Sequence, residues 1–343
     1  MSSAPTTTLD WPTVLEHIER FVTTEYASVT RAGAPVTWPV TPYAGADRST
    51  IDVATGLTYP LKAERARRDP RVSLSFSFPV GSGITDAPTV LVQGLATVRD
   101  ADLRHTSSRY LQAAADRFPE QFAGIPTWQL RRMGWYWTRM WVEVTPVRVL
   151  WWDGGDLQTA PQEWRAPAGT TAPPSDPAPH GTSSGAWSSK VVDWRARRAG
   201  AIERLGAPVI TTMSPDGWPQ PWRAVEVAET PDGYELVAPT GIEVVDGPAF
   251  ASFHSHAEVF DGQENIGLAG RVVVGGAGVR MVVDRALADF GVPTSKLGAA
   301  VSMMRAGRRL RPRLQREAAR RDAVLPSFDE LDFRRPAKPR ATR

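Results

Sequence analysis

Hydrophobic and polar residues alternate strictly across residues 72–78, where Val72, Leu74, Phe76 and Phe78 interleave with Ser73, Ser75 and Ser77. That is the period of a strand with one buried face. Upstream, Ile51 and Val53 alternate with polar neighbours, the pattern breaks at Gly56, and a short helix is predicted after Pro60. Asp69-Pro70 ends that helix, because proline lacks an amide donor and pushes the preceding residue out of helical geometry. Residues 49–78 therefore read as strand, helix, strand. The helix is basic, carrying Lys62, Arg65, Arg67 and Arg68, and Thr55 and Thr58 precede it. Helix-start donors, hydroxyls and cationic side chains together suit a phosphate group.

The same reasoning extends along the chain. An amphipathic helix is predicted over residues 11–24, with Val14, Leu15, Ile18, Phe21 and Val22 on one side. A hairpin follows, with strands at 26–30 and 36–41 around Arg31-Ala32-Gly33. Residues 89–98 read as a strand, in which Gly94 of Gln93-Gly94 permits a bulge or a close backbone approach. A second helix is predicted at 102–118, and residues 135–155 read as two strands divided at Thr145-Pro146. Residues 166–189 are little but Ala, Pro, Ser, Thr and Gly, so they cannot build a core and read as a partly extended linker.

After the linker the pattern returns. Ile18-Glu19-Arg20 recurs as Ile202-Glu203-Arg204, and at the same offset Gly33, Pro35 and Trp38 recur as Gly217, Pro219 and Trp222. The strand after Asp69-Pro70 has a counterpart in residues 247–256, and Gly94 has one in Gly270. The turn before that counterpart strand is shorter, and its lysine and arginines are gone.

Composition narrows the chemistry. At 343 residues the chain suggests two domains. The absence of cysteine excludes disulfides, thiolate nucleophiles and cysteine metal sites. The N-terminal residues lack the basic and apolar regions of a signal peptide, and no apolar run approaches the roughly 20 residues that span a bilayer, so a cytoplasmic protein is expected. The net charge is only +3, yet residues 305–321 hold eight arginines. The expected reading is a solvated helical face. Nucleic-acid binding would want aromatic platforms or a recognisable module, and none lies nearby.

No dinucleotide-binding, Walker, zinc-protease or serine-hydrolase motif is present. His254 and His256, two apart on one strand face and near Glu258, could ligate a metal or haem. The reading preferred over it is a hydrogen-bonded pair lining a barrel or the cleft between the two halves.

Two strings carry a resemblance. Thr55, Lys62 and the run Asp69 to Leu74 in one, and Arg139, Val144-Thr145-Pro146, Arg148-Val149 and Trp151-Trp152 in the other, resemble segments of the FMN-binding split-barrel family. That family includes pyridoxamine 5'-phosphate oxidase and the deazaflavin-dependent reductases. The turn here is about one residue longer than the family's, with Tyr59-Pro60 where small hydroxyl residues are common. The resemblance implies a mainly β protein of tandem split β-barrels, the second degenerate: 1–160 the cofactor-binding barrel, 161–190 the linker, 191–343 the second barrel with the arginine-rich C-terminal helix. It implies an FMN-dependent oxidoreductase acting on an unidentified small molecule. The alternatives are a deazaflavin (coenzyme F-420)-dependent reductase and a non-catalytic flavin- or haem-binding protein. Thr55, Thr58, Lys62, Arg67 and Arg68 would neutralise the phosphate, Trp38, Pro39 and Val40 would lie along the ring, and Gln93 would touch ring or ribose. Trp222, Arg223 and Gln263 would close the cleft from the second copy. The two barrels would form an intramolecular pseudo-dimer, and whole chains could pair again. A single clamp around Lys62 favours FMN, whereas the Ala-, Arg- and Pro-rich composition favours the deazaflavin.

Overall fold

The computed structural model describes residues 9–184, 193–258, 262–276, 278–287, 290–291 and 296–337. The chain opens with helix α1 (Trp11–Ile18), whose first turn is capped by the Asp10 carboxylate accepting from the Thr13 amide. The apolar stripe of α1 continues to Phe21 and Val22 as predicted, but the helix itself stops at Ile18. Arg117 explains the early stop: its guanidinium donates to the carbonyls of Glu19 and Phe21, replacing the donors a continuing helix would supply.

The first sheet holds β1 (Thr24–Val29), β2 (Pro35–Val40), β3 (Pro42–Ala44), β4 (Ile51–Gly56), β5 (Arg71–Phe76), β6 (Thr89–Arg99), β7 (Arg139–Trp152) and β8 (Gln162–Arg165). Its strands lie in the order β2-β1-β5-β6-β7-β4-β3, with β8 added to β7. Helix α2 (Leu61–Arg68) joins β4 to β5, and α3 (Leu103–Arg117), α4 (Pro119–Ala123), α5 (Thr127–Arg132) and α6 (Gly134–Trp137) join β6 to β7. Leu15, Ile18, Val53, Leu74, Val92 and Val142 fill the interior.

After α7 (Trp194–Arg198) and α8 (Ala201–Leu205) comes a second sheet: β9 (Val209–Met213), β10 (Pro219–Arg223), β11 (Glu226–Thr230), β12 (Gly233–Val237), β13 (Gly247–Ser255), β14 (Glu264–Gly275), β15 (Gly278–Ala286) and β16 (Phe290–Gly291). Its order, β10-β9-β13-β14-β15-β12-β11, reproduces the first strand for strand. The second sheet is the reduced one. No helix lies between β12 and β13, and β14 turns directly into β15 where the first sheet inserts four helices. The fold is thus two curled half-barrels in tandem.

Residues 139–152 form one continuous strand, not the two predicted from Thr145-Pro146. The proline, which has no amide to donate, is absorbed by a bulge: Gln93 pairs with Arg148 and Gly94 with Pro146, leaving Val147 without a partner position. A Cβ on Gly94 would lie 2.5 Å from Val144 Cγ1 and 2.6 Å from the Thr145 carbonyl oxygen, so only glycine fits. The register shifts at Gly270 in the same manner, and there a Cβ would overlap the Val282 carbonyl.

Two further expectations need correcting. Residues 166–184 have a linker's composition but are tied down. Asp176 accepts from the amides of Asp100 and Ala101, Thr97 donates to the Pro173 carbonyl, and the Ser184 amide donates to Glu317. The arginine-rich helix α9 (Lys296–Ala319), assigned from sequence to the second unit, packs on the first. Leu310, Leu314 and Ala318 belong to the first interior. Arg305, Arg308, Arg309, Arg311 and Arg316 of the helix are exposed, as a solvated face requires. Just beyond its end, however, Arg320 and Arg321 bind Glu64, Glu317 and Asp100 in a network that also includes Arg67. Among the described residues, no helix is long and apolar enough to cross a membrane.

The sheets meet along β1, β2 and β5 of the first and β9, β10 and β13 of the second. The contacts are reciprocal: β2 lies against β13, and its equivalent β10 lies against β5. Thr37 and Thr211 hydroxyls meet at 2.5 Å across the seam, and Ser73 donates to the Pro219 carbonyl.

Candidate functional site

The turn from β4 into α2 is closed by its own polar groups. The Thr55 hydroxyl donates to the Tyr59 carbonyl at 3.1 Å, and the Tyr59 amide donates to the Gly56 carbonyl at 2.7 Å. Thr58 is fully buried, and its hydroxyl has no hydrogen-bond partner. Gly56 pairs in register with Arg139 of β7. A Cβ at Gly56 would stand 3.3 Å from an Arg139 Nη, 3.4 Å from Thr58 Oγ1 and 3.4 Å from the Tyr59 ring, so these three side chains surround one point.

Arg139 is held rigidly there. Its guanidinium stacks on Tyr110 and Tyr136, with centroid distances of 4.4 and 4.9 Å, and donates to the Tyr110 hydroxyl at 3.2 Å. Its Nε, however, is buried and has no acceptor. Lys62, on the first turn of α2, is half-buried with its ammonium 5.7 Å from the centre of the Trp38 ring. Burial, reinforced by the charges of Arg65 and Arg139, lowers its pKa to about 8. Among the described residues no carboxylate pairs with Lys62, Arg65 or Arg139. Unsatisfied buried donors are costly, so a group of this kind calls for an acceptor. Thr58 Oγ1, Arg139 Nε and the Lys62 ammonium fit an anionic terminus such as a phosphate.

The predicted site residues divide into two sets. Lys62 lies over Trp38, Thr58 stands beside Arg139 at Gly56, and Thr55 shapes the turn. Arg67 and Arg68 do not join. Arg67 is committed to Asp100 at 2.6 Å and to the Asp176 carbonyl, while Arg68 is exposed and donates to the Val29 carbonyl. A helix of this length presents only part of its circumference to any one point, and these two residues fall outside it. Trp38 touches the second sheet through Phe250, with ring centres 6.2 Å apart. Pro39 pairs with Glu25, and Val40 packs partly buried against the first interior. Gln93 is buried opposite Ser73 on β5, and its amide nitrogen lacks a partner.

Three arginines near this turn were not among the predicted site residues. Arg139 was legible as part of the aromatic strand, but its role depends on the pairing with Gly56. Arg309 and Arg313 come from α9. Arg313 lies 5.9 Å from the centre of the Tyr59 ring, and both, with Arg139, act electrostatically on that tyrosine, whose hydroxyl burial nevertheless pushes up to about 12. No local pattern marks which of eight arginines reaches the turn.

The equivalent turn in the second sheet is filled. Trp152 donates through its indole nitrogen to the Thr240 carbonyl at 3.1 Å, and the Thr240 amide and hydroxyl donate to the carbonyls of Leu157 and Gln158. Pro161 occupies the space beside Gly241. His254 and His256 lie on the seam. His254 Nε2 meets the buried Glu25 carboxylate at 2.7 Å, His256 Nδ1 meets the Ala257 carbonyl at 2.9 Å, and the Phe78 ring packs edge-on against both. Arg223 donates to Ser77 and to Glu25, joining the same cluster, while Trp222 is buried in the second interior.

No family model matches the sequence, and no curated protein matches it. Among solved structures, a conserved hypothetical protein from Mycobacterium tuberculosis is 20% identical, covers 50% of this chain and 100% of its own, and gives a TM-score of 0.34. A pyridoxamine 5'-phosphate oxidase-related, FMN-binding protein from Nostoc punctiforme is 13% identical over 45% of this chain and 87% of its own, with a TM-score of 0.29. An F-420 reductase is 17% identical over 43% of this chain and 98% of its own, with a TM-score of 0.31. The chain is a tandem split barrel.

Proposed function

We propose that the protein is an FMN-dependent oxidoreductase acting on a small molecule, with one cofactor held per chain in the cleft beside the first barrel. The observation that carries this reading is the meeting of Arg139 and the unpartnered Thr58 hydroxyl at Gly56, on the turn between β4 and α2, with Lys62 near enough for the Arg139 charge to lower its pKa. In this reading those three groups hold the phosphate, and the Thr55 hydroxyl keeps the turn in shape to present them. Trp38, Pro39 and Val40 flank the ring from the first barrel, and Phe250 borders it from the second. Gln93 offers its unpartnered amide from the cleft face of β6. When bound, the flavin ring supplies the hydride chemistry, which asks no acid or base of the chain itself. The tandem barrels act as a pseudo-dimer whose second cleft is closed by Trp152 and residues 157–161.

A second reading is the deazaflavin coenzyme F-420, favoured by the presence of Arg309 and Arg313 beside Tyr59, which extends the cationic surface beyond a single clamp. The test is to purify the full chain, identify the co-purifying chromophore by absorbance and mass, and titrate the stripped protein with FMN and with the deazaflavin. One equivalent of FMN, lost on Lys62→Ala, supports the proposal. A preference for the deazaflavin selects the second reading, and refusal of both sinks the two together. A bound pigment that no reductant or substrate can bleach would mark a carrier.

A further inference from the structure

Two segments without acidic residues are brought side by side on the outside of the first barrel. Residues 121–142 and 296–316 contain neither aspartate nor glutamate, and they supply α5, α6 and most of α9. Helix α9 rests on α6, where a Cβ on Gly307 would stand 2.9 Å from the Trp135 indole nitrogen. It meets the end of α5 through Arg311, which donates to the Arg132 carbonyl at 3.2 Å. Met304, Arg308 and Arg311 follow one another at spacings of four and three, so they share one side of α9, and all three are exposed. Arg131 and Arg132 are exposed beside them at the end of α5. Asp329 approaches this face and pairs with Arg131. Among the described residues no carboxylate pairs with Arg132, Arg308 or Arg311.

Apolar side chains stand within the same face. Trp128 of α5 is 59% exposed and Met304 is 64% exposed, whereas Trp135, Trp137 and Trp141 are buried. Tryptophan is highly buried on average, so an indole left in water is informative. The Arg132 guanidinium lies over the Trp128 ring, 5.4 Å from its centre, so cation and indole are presented together. With a net charge of only +3, the chain concentrates on this face a positive charge that it balances elsewhere.

We propose that this face docks on an anionic lipid surface. Arg132, Arg308 and Arg311 meet the headgroup phosphates, and Trp128 and Met304 enter the boundary between headgroups and acyl chains. Phosphate charge is common to lipids and nucleic acids, and the aromatic component decides between them. Single-stranded nucleic acid wants several ring faces on which successive bases stack. Here there is one indole, with a face already covered by Arg132, and an amphipathic ring of that kind suits the edge of a bilayer. No part of the flavin reading is needed for this docking.

The experiment is co-sedimentation of the full chain with vesicles of phosphatidylcholine alone and with vesicles of equal parts phosphatidylcholine and phosphatidylglycerol. The anionic vesicles should bind the protein, the neutral ones should not, and added salt should weaken the binding. Arg308→Gln/Arg311→Gln should lower the affinity about tenfold or more, and Arg308→Lys/Arg311→Lys should retain most of it. Trp128→Ala should lower it about fivefold or more with no change of charge, and Trp128→Phe should recover part. Each variant should unfold thermally with the parent, since the substituted side chains are exposed. Failure of the intact protein to bind anionic vesicles would overturn the proposal, as would binding untouched by the double glutamine variant or by Trp128→Ala. A single-stranded oligonucleotide that binds more tightly than the vesicles at the same ionic strength, and displaces them, would assign the face to nucleic acid instead.

Discussion

His254 Nε2 lies 2.7 Å from Glu25 Oε1, and this contact joins the two halves of the chain at a point sealed from solvent. Glu25 belongs to β1 of the first barrel and His254 to β13 of the second. The same carboxylate accepts from Arg223 and from Ser77, so donors from both barrels converge on one anion. Burial pushes the Glu25 carboxyl up, but the hydrogen bond and charge of His254 and the charge of Arg223 outweigh it and hold it below the ordinary range.

The pH dependence follows from that direction. A carboxyl whose folded pKa is depressed contributes stability above its unfolded pKa, and that contribution is lost as pH falls through the folded value. The seam should therefore weaken as pH falls below about 4.5, the usual glutamate range. Glu25→Ala, which leaves Arg223 and His254 buried without their anion, is expected to cost about 3 kcal/mol at neutral pH. Urea unfolding of both proteins from pH 3 to pH 7 checks this: the variant should show a flatter profile, and equal slopes would refute the assignment.

Lys62 titrates in the opposite sense for ligand binding. Burial beside Arg65 and Arg139 brings it to about 8, and only its protonated form attracts an anion. Binding an anion raises that pKa, so orthophosphate or FMN affinity should fall by about tenfold per pH unit just above pH 8. Lys62→Arg, which stays charged, should abolish the fall. Titrations at pH 7, 8 and 9 would show it, and a pH-independent affinity in the unmodified protein would rule Lys62 out of the site.

The two bulge glycines make a matched pair of predictions. Gly94→Ala and Gly270→Ala each drive a methyl into the backbone of the neighbouring strand, at Thr145 and at Val282 respectively. Each should cost about 2 kcal/mol or more, as overpacking against backbone cannot relax through a rotamer change. Thermal unfolding of the two variants measures it, and a variant as stable as the parent would show that its bulge is not tight.

Glu317 is fully buried and binds Arg320, Arg321 and the Ser184 amide. Glu317→Ala should release the strap at residues 166–184 and cost about 2–3 kcal/mol by leaving charge unpaired. Limited proteolysis reads the result directly: cleavage within the proline-rich strap should become faster, and an unchanged digestion pattern would contradict the assignment.

Much of the first barrel could be read from the residues, because period and punctuation are local. The alternation across 72–78, the break at Gly56 and the stop at Asp69-Pro70 each act within a few positions, and β5, the turn and α2 lie where they require. The positions of Thr58 in the turn and Lys62 at the start of α2 were legible for the same reason, since adjacent residues build both. Thr145-Pro146 misled because proline ends a strand only where its missing amide is needed, and the bulge opposite Gly94 makes it unnecessary.

Spacing along the chain was enough to place β5 and most other strands of the first barrel, the basic helix after Thr58 and the recurrence of one pattern across two halves, because each is a local regularity. Which arginines stand beside the turn depended on the packing of distant segments. Arg67 and Arg139 are alike in charge, but Arg67 is neutralised by Asp100, whereas Arg139 stacks on Tyr110 and Tyr136 with a nitrogen at the Gly56 turn. Tertiary structure also decided that α9 joins the first barrel: an apolar stripe specifies that a helix must be covered, whereas the choice of core depends on the shape and charge of surfaces far away in sequence.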